Sequence, residues 1–341
     1  MGAPPHIPSP TLNDVAQAAG VSTATVSRCL NTSAKVSAAT RDRVMRAVET
    51  LGYTPNFGAR ALAAKRTYTI GAIIPTMENA IFARGLQAFQ ENLNDKGYTL
   101  LVSSTAYRPE LEAEQIKNLM ARGADGLLLI GHAREARIYD YLHQRGTPTL
   151  LAWAYQADGP YPSIGFDNRA AMLPLARRVF DMGHRNIAVI SGIVQGNDRA
   201  AERLEGIRVA LRERGMDPAQ TPVIETPYEI ENGANAFERL MQATPRPTVI
   251  MCVNDVLAAG ALQRARDMGL DVPGDVSITG FDDIELARLV TPKLTTVHVP
   301  HRQMGRLAAD ELVRMVEGQS PGVSTELESS LKMRGSLRAI D

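Results

Sequence analysis

The sequence predicts a small α-helical unit of the helix-turn-helix kind, followed by an α/β core of two doubly wound parallel-sheet units. Three observations predict it. Between Thr11 and Gly52, apolar residues at helical spacing are cut at short intervals by helix-stopping glycines. From Thr69 onward, short apolar runs alternate with longer amphipathic stretches, the pattern of strands interleaved with helices. That alternation runs too long for one sheet, and it restarts near Asn186. A chain of 341 residues also exceeds the roughly 100–200 of a single domain.

Thr11, behind Pro10, is placed to cap a first helix, with Asp14 three residues on as the shortened acid of a capping box. Leu12, Val15, Ala16 and Ala19 follow at helical spacing, and Gly20-Val21-Ser22 makes a tight turn. Ser22 then caps a short second helix, Thr23–Leu30, whose Val26 and Leu30 share one face and can pack against Val15 and Val21. The opposite face pairs Thr23 with Ser27 and Ala24 with Arg28 at i,i+4, and Asn31 ends it. Small groups beside one guanidinium suit a helix that sinks into a groove. A third helix starts at Ser37 or Thr40, turns Val44, Ala47, Val48 and Leu51 inward, and stops at Gly52. Three such helices are the smallest common unit that offers a helix to the major groove, although the same outline also serves protein-interaction modules.

Charge is unevenly spread along a chain whose 37 Lys and Arg balance 37 Asp and Glu. Residues 1–66 hold 8 basic against 3 acidic side chains, and the remainder holds 29 against 34. A basic head on an acidic body fits a chain in which only the head meets phosphates. With 22% charged and 44% hydrophobic residues, the composition is that of a globular protein able to bury a full core. Cys29 and Cys252 lie far apart and form neither a disulfide framework nor a metal motif, so a reducing cytoplasm is expected. Residues 1–10 carry four prolines and read as a disordered tail without a signal-peptide core. No run approaches the roughly 20 apolar residues of a membrane span.

In the body, Ile70–Pro75, Leu100–Ser104, Gly126–Gly131, Thr149–Trp153, Asn186–Gly192, Thr248–Val253 and Val276–Phe281 read as strands of parallel sheets covered on both faces. A cleft belongs between two such units, with ligand groups at the carboxyl ends of strands. Asn254-Asp255 and Asp282-Asp283 stand where an apolar run hands over to a helix, and the spacing alone favours capping over ligand binding for each pair. Arg203 reads as an exposed helix arginine paired with Glu202 or Glu205. Phe82 and Phe166 read by themselves as core. His132, just past a strand, reads as a loop histidine.

The segments Thr11-Leu12, Asp14-Val15-Ala16, Ala19-Gly20-Val21-Ser22, Thr25-Val26-Ser27-Arg28 and Leu30-Asn31 resemble, at fixed offsets, the head of lactose-repressor-family (LacI-type) regulators. Val36-Ser37, Thr40-Arg41, Leu51-Gly52-Tyr53, Pro55-Asn56, Ala59-Arg60 and Leu62 extend the resemblance, which continues to about Arg338. It implies a DNA-binding domain over 11–54, a hinge helix over 55–66 and a periplasmic-binding-protein-like core over 67–338. In such a core the chain crosses three times between one subdomain, about 68–167 plus 298–325, and another, about 168–297 plus 326–338.

The resemblance also implies roles. Thr23, Ala24 and Arg28 would read base edges, and Ser22, Thr25, Ser27 and Asn31 chiefly phosphates. Asn56 and Ala59 would join the DNA contact from the hinge, and Leu62 would enter the minor groove as a wedge, although a plain linker contact also suits it. Phe82, Phe166, Asp167, Asn197, Arg199, Arg203, Tyr228, Asn254 and Asp282 fall at effector-binding positions. Ala80 departs from the proline that many relatives carry in that wall. The implied partners are double-stranded operator DNA, a second copy of the chain in a homodimer and a small effector, a sugar or sugar acid, with no cofactor, metal or membrane.

Two other classes compete. An enzyme on this body would need a site, yet there is no Gly-x-Gly-x-x-Gly after a strand, no P-loop and no Gly-x-Ser-x-Gly elbow, and the six histidines are scattered. A plain sugar-binding receptor would share the core, and the basic head argues against it.

Overall fold

The computed structural model describes residues 10–31, 36–54, 66–78 and 80–340, with the side chain of Asn31 left aside. Residues 1–9 of the expected tail and the hinge positions Asn56, Ala59 and Leu62 lie outside that set. Two compact units divide between Thr67 and Tyr68.

The first unit holds α1 (Leu12–Ala19), α2 (Thr23–Asn31) and α3 (Ala38–Leu51). Thr11 and Asp14 form a full capping box: the Thr11 N–H donates to Asp14 Oδ2 at 2.8 Å and the Asp14 N–H to Thr11 Oγ1 at 3.3 Å. Gly20 ends α1 in the left-handed region, φ 63°, which a residue with a Cβ adopts at a cost. Ser37, not Thr40, caps α3, and its hydroxyl accepts the Thr40 N–H. Val15, Ala16, Ala19, Val26, Cys29, Val44, Ala47 and Tyr53 form the core. On α2 the buried stripe is Val26 and Cys29, and Leu30 is only partly covered.

The second unit carries two parallel sheets. In the first, β1 (Thr69–Ile74), β2 (Thr99–Ser104), β3 (Gly126–Ile130), β4 (Thr149–Ala152) and β5 (Ser163–Gly165) join β11 (Thr325–Glu326) in the order β11-β5-β4-β3-β1-β2. In the second, β6 (Ile187–Gly192), β7 (Val223–Thr226), β8 (Val249–Cys252) and β9 (Ser277–Thr279) run in the order β7-β6-β8-β9. β1, β3, β4, β6 and β8 are buried along their whole length, as expected for strands covered on both faces. β10 (Thr296–His298) and β12 (Ser330–Lys332) pair antiparallel where the chain passes between the sheets.

The helices that position the site are α4 (Ala80–Asp95), α5 (Glu112–Ala121), α6 (Ala136–Arg145), α7 (Asn168–Asp181), α8 (Asp198–Glu213), α9 (Ile230–Met241), α10 (Asp255–Asp267), α11 (Leu286–Leu289) and α12 (His301–Val316). The seven expected strands are present. The sequence pattern does not mark β5, β7, β10, β11 and β12, which span two to four residues and lack the longer apolar runs that announce the equally short β4, β8 and β9. No helix among the described residues is long and apolar enough to cross a membrane.

Candidate functional site

On the head, α2 presents Thr23, Ala24 and Arg28 to solvent, with Thr25 and Ser27 half-buried. The Ser22 hydroxyl accepts the Thr25 N–H at 3.2 Å and lies 3.0 Å from the Thr25 hydroxyl, so both take part in starting the helix. Arg28 donates from Nε to its own helix at Ala24 O, 3.3 Å. A guanidinium on this exposed face has the shape for a flat, two-acceptor partner such as a guanine edge.

In the core, a cavity of about 290 Å³ lies between the two sheets. Thr76 and Tyr107 wall it from the first half, and Asn197, Arg199 and Tyr228 from the second. Tyr107 and Tyr228 meet with ring centroids 5.5 Å apart, and Asn197 Nδ2 donates to Tyr228 Oη at 3.3 Å. Burial pushes both phenols up, so they remain neutral hydrogen-bonding groups. A smaller void behind it touches Phe82, Trp153 and Arg203. Phe82 meets Trp153 edge to face at 5.4 Å.

Arg203 is the centre of the inner wall. Its Nε donates to Asn168 Oδ1 at 2.9 Å, its Nη1 to Val253 O at 2.9 Å, and its Nη2 to Asp282 Oδ1 at 3.1 Å. The guanidinium also lies 3.8 Å from the centroid of Phe281. Both members of the Arg203–Asp282 pair are buried. Burial pushes the Asp282 carboxyl up to about 6, against the pull of Arg203. The helix-surface alternative for Arg203 is set aside, because Glu202 pairs instead with Arg169, and Glu205 with Arg208 and Arg212.

The network spans both halves. Asn168 Nδ2 donates to Trp153 O at 3.0 Å, and Trp153 Nε1 donates to His301 Nδ1 at 3.2 Å. His301 Nε2 lies 3.3 Å from Asp282 O, so a neutral ring protonated on Nε2 satisfies both contacts. Burial lowers this histidine to about 4, which keeps it in that form. Ala106, Tyr107, Trp153, Asp282 and Asp283 all adopt positive φ, and such strain gathers at functional loops.

The expected residues separate into three groups. Asn197, Arg199 and Tyr228 line the main cavity, and Phe82 and Arg203 the inner void. Asp282 stands behind Arg203. Phe166, Asp167 and Asn254 line neither space: Phe166 stacks on Phe281 at 6.0 Å, and Asp167 caps α7 through the Ala170 N–H. Asn254 Oδ1 caps α10 through the Leu257 N–H at 2.9 Å, and its buried Nδ2 has no partner among the described residues. Asp255, beside it, is buried and holds the Thr296 hydroxyl and the Ile284 N–H. Tyr107, Trp153, Asn168 and His301 escaped the sequence reading, since no local motif marks them and only the strand-end loops bring them together.

A helix-turn-helix head on a core with a walled cleft defines a class, the DNA-binding transcription regulators that carry a periplasmic-binding-protein-like domain. Residues 11–56 match the family of bacterial regulatory proteins called lacI, and residues 176–337 match the periplasmic binding protein-like domain. The chain is 32% identical over 311 residues to catabolite control protein A of Priestia megaterium, covering 91% of this chain and 93% of the relative. It is 33% identical over 330 residues to the HTH-type transcriptional repressor PurR of Salmonella typhi, covering 96% of each. A solved Lac repressor dimer, bound to operator and the anti-inducer ONPF, superposes with a TM-score of 0.85 at 28% identity, over 97% of this chain and 100% of that one. The chain belongs to the lacI family of bacterial regulatory proteins, and it is a DNA-binding transcriptional regulator.

Proposed function

We propose that the chain is a cytoplasmic repressor that binds a two-fold symmetric operator as a homodimer and responds to a sugar or sugar acid held in the core cleft. The observation that carries this reading is the cavity walled by both halves, with the Arg203–Asp282 pair on the inner side. Hydroxyl recognition needs neutral and paired donors and acceptors around aromatic faces, and Asn197, Arg199, Tyr107 and Tyr228 supply them. Ligand binding that changes the spacing of the halves alters operator affinity by linkage.

On the DNA side, Thr23, Ala24 and Arg28 take base edges, with Ser22, Thr25, Ser27 and Asn31 on phosphates. The hinge over 55–66 contributes Asn56, Ala59 and the Leu62 wedge. The two halves of the core comprise about 68–167 with 298–325, and about 168–297 with 326–338. Similarity to a repressor solved as a dimer on its operator supports the paired arrangement, because paired heads read paired half-sites. No catalytic role is assigned, and the relatives named above are regulators.

The test is operator affinity, on DNA selected by the chain from a random pool, with and without a panel of neutral sugars and sugar acids. A shift with at least one ligand is expected. Sequence-specific binding that no ligand alters would overturn the sensing role, and the absence of specific binding would overturn the repressor reading itself.

A further inference from the structure

Asp198, the first residue of α8, lines neither the cavity nor the inner void. Its carboxylate nevertheless joins the two walls of the cleft. Oδ1 accepts Arg199 Nη1 at 3.0 Å from its own half, and Oδ2 accepts the backbone N–H of His132, in the loop after β3 on the opposite half. Burial alone would raise this carboxyl, but Arg199, the His132 N–H and ring, and Arg134 together hold it below its ordinary value.

The facing loop is shaped for that bond. Gly131 sits at φ +70°, and a Cβ there would run into both the Arg199 guanidinium and the Asp198 carboxylate. Only glycine supplies both the conformation and the room. The next peptide is held from its other side as well, because the Tyr139 hydroxyl donates to His132 O at 2.8 Å. Arg134 in turn donates to that hydroxyl at 2.8 Å and reaches Glu112, on the cavity wall, at 3.4 Å. A second close approach lies nearby: Gly196 has φ +68°, and a Cβ on it would come within 2.8 Å of Pro109 on the opposite half.

We propose that Asp198 is a positioning residue of the ligand cleft, a latch that holds the His132 loop against α8 and, through the same carboxylate, aims Arg199 at the cavity. The inference rests on the cleft being the effector site. Opening the cleft breaks the His132 contact and leaves Arg199 tethered on its own half, so the latch sets how readily the empty cleft closes and how well its arginine is oriented for a ligand.

The test uses the full chain with spin labels at Glu135→Cys and Gln195→Cys, exposed positions on opposite halves. The native Cys29 and Cys252 are buried. Labelled protein is diluted with excess unlabelled chain, and distances across the cleft are measured by pulsed electron resonance. Asp198→Ala and Gly131→Ala strike the latch from opposite walls. Each should raise the ratio of open to closed molecules roughly ten-fold, the amount that one charge-assisted hydrogen bond supplies. Asp198→Asn, which keeps an acceptor without the charge and guards against misfolding of the alanine variants, should give a smaller rise.

Parent-like distances in all three variants would overturn the latch, and so would a fall in thermal stability with no change in distance. The sensing reading fails separately. Variants that open the cleft, in a chain whose operator affinity ignores every ligand, uphold the latch and sink the effector site. Unchanged distances in a ligand-responsive chain do the reverse.

Discussion

Arg28 on the head and Arg203 in the core are both helix arginines, yet their surroundings differ in nearly every respect. Arg28 is exposed and donates to a carbonyl of its own helix. Arg203 is buried, bonded to Asn168, Val253 and Asp282, and stacked on Phe281. A side chain of the first kind is left to take its fixed geometry from a binding partner, and removing it costs the fold little. One of the second kind is held by the fold before any ligand arrives, so its function and the stability of the core cannot be separated.

The largest expected effect follows from that contrast. Arg203→Leu strands the buried Asn168 and Asp282 oxygens and Val253 O without their donor. Breaking a buried pair from one side costs about 3–5 kcal/mol. Urea unfolding of the core should show a loss of that size, and a change below about 1 kcal/mol, the range of many surface substitutions, would mean that the pair is not held as described.

Acidity sharpens the same point. Asp282 titrates at about 6 when folded and at its ordinary 3.8 when unfolded, so the folded chain binds the proton more tightly. The stability due to this group is therefore full below about pH 4 and is lost as pH rises through about 6. Asp198 and Asp283, both held below their ordinary value, act in the opposite direction and at lower pH. In Arg203→Leu the carboxyl loses the cation that restrains it, so the decline should continue above pH 6. Parallel stability curves for parent and variant would show that Asp282 does not titrate in that window.

On the exposed side, Arg28→Ala should leave unfolding unchanged to within about 0.5 kcal/mol and weaken selected operator DNA by about 1–3 kcal/mol. Fluorescence anisotropy on selected and scrambled duplexes checks it. An equal loss on both would make Arg28 a phosphate contact without a base partner.

The comparison also explains what could be read without coordinates. The head was legible because its signals are local: Thr11 and Asp14 sit three residues apart, Ala24 and Arg28 four, and one helix brings them together. The alternation of the body was legible for the same reason. The inner wall was not, because Trp153, Asn168, Arg203, Asp282 and His301 come from five separate segments that meet only when two sheets face each other. Arg203 and Asp282 were visible by family position, whereas Trp153 and His301 had no sequence signal to carry them. Asn254 shows the middle case, since its capping role follows from its place before α10, and its unpartnered Nδ2 does not.

The smallest effect concerns the capping box, which tests whether the head is as locally determined as its legibility implies. Thr11→Ala removes the hydroxyl that accepts the Asp14 N–H and itself donates to Asp14 Oδ2 at 2.8 Å. Loss of an N-cap of this type costs about 1 kcal/mol, and α1 is only 8 residues long, so little else within the helix offsets it. Amide exchange across residues 11–54 should accelerate by roughly five-fold, with exchange across the core strands unaltered. Acceleration in the core as well would show that the two units share one unfolding transition, and the separation between an exposed, locally built head and a buried, globally built cleft would then hold for function but not for stability.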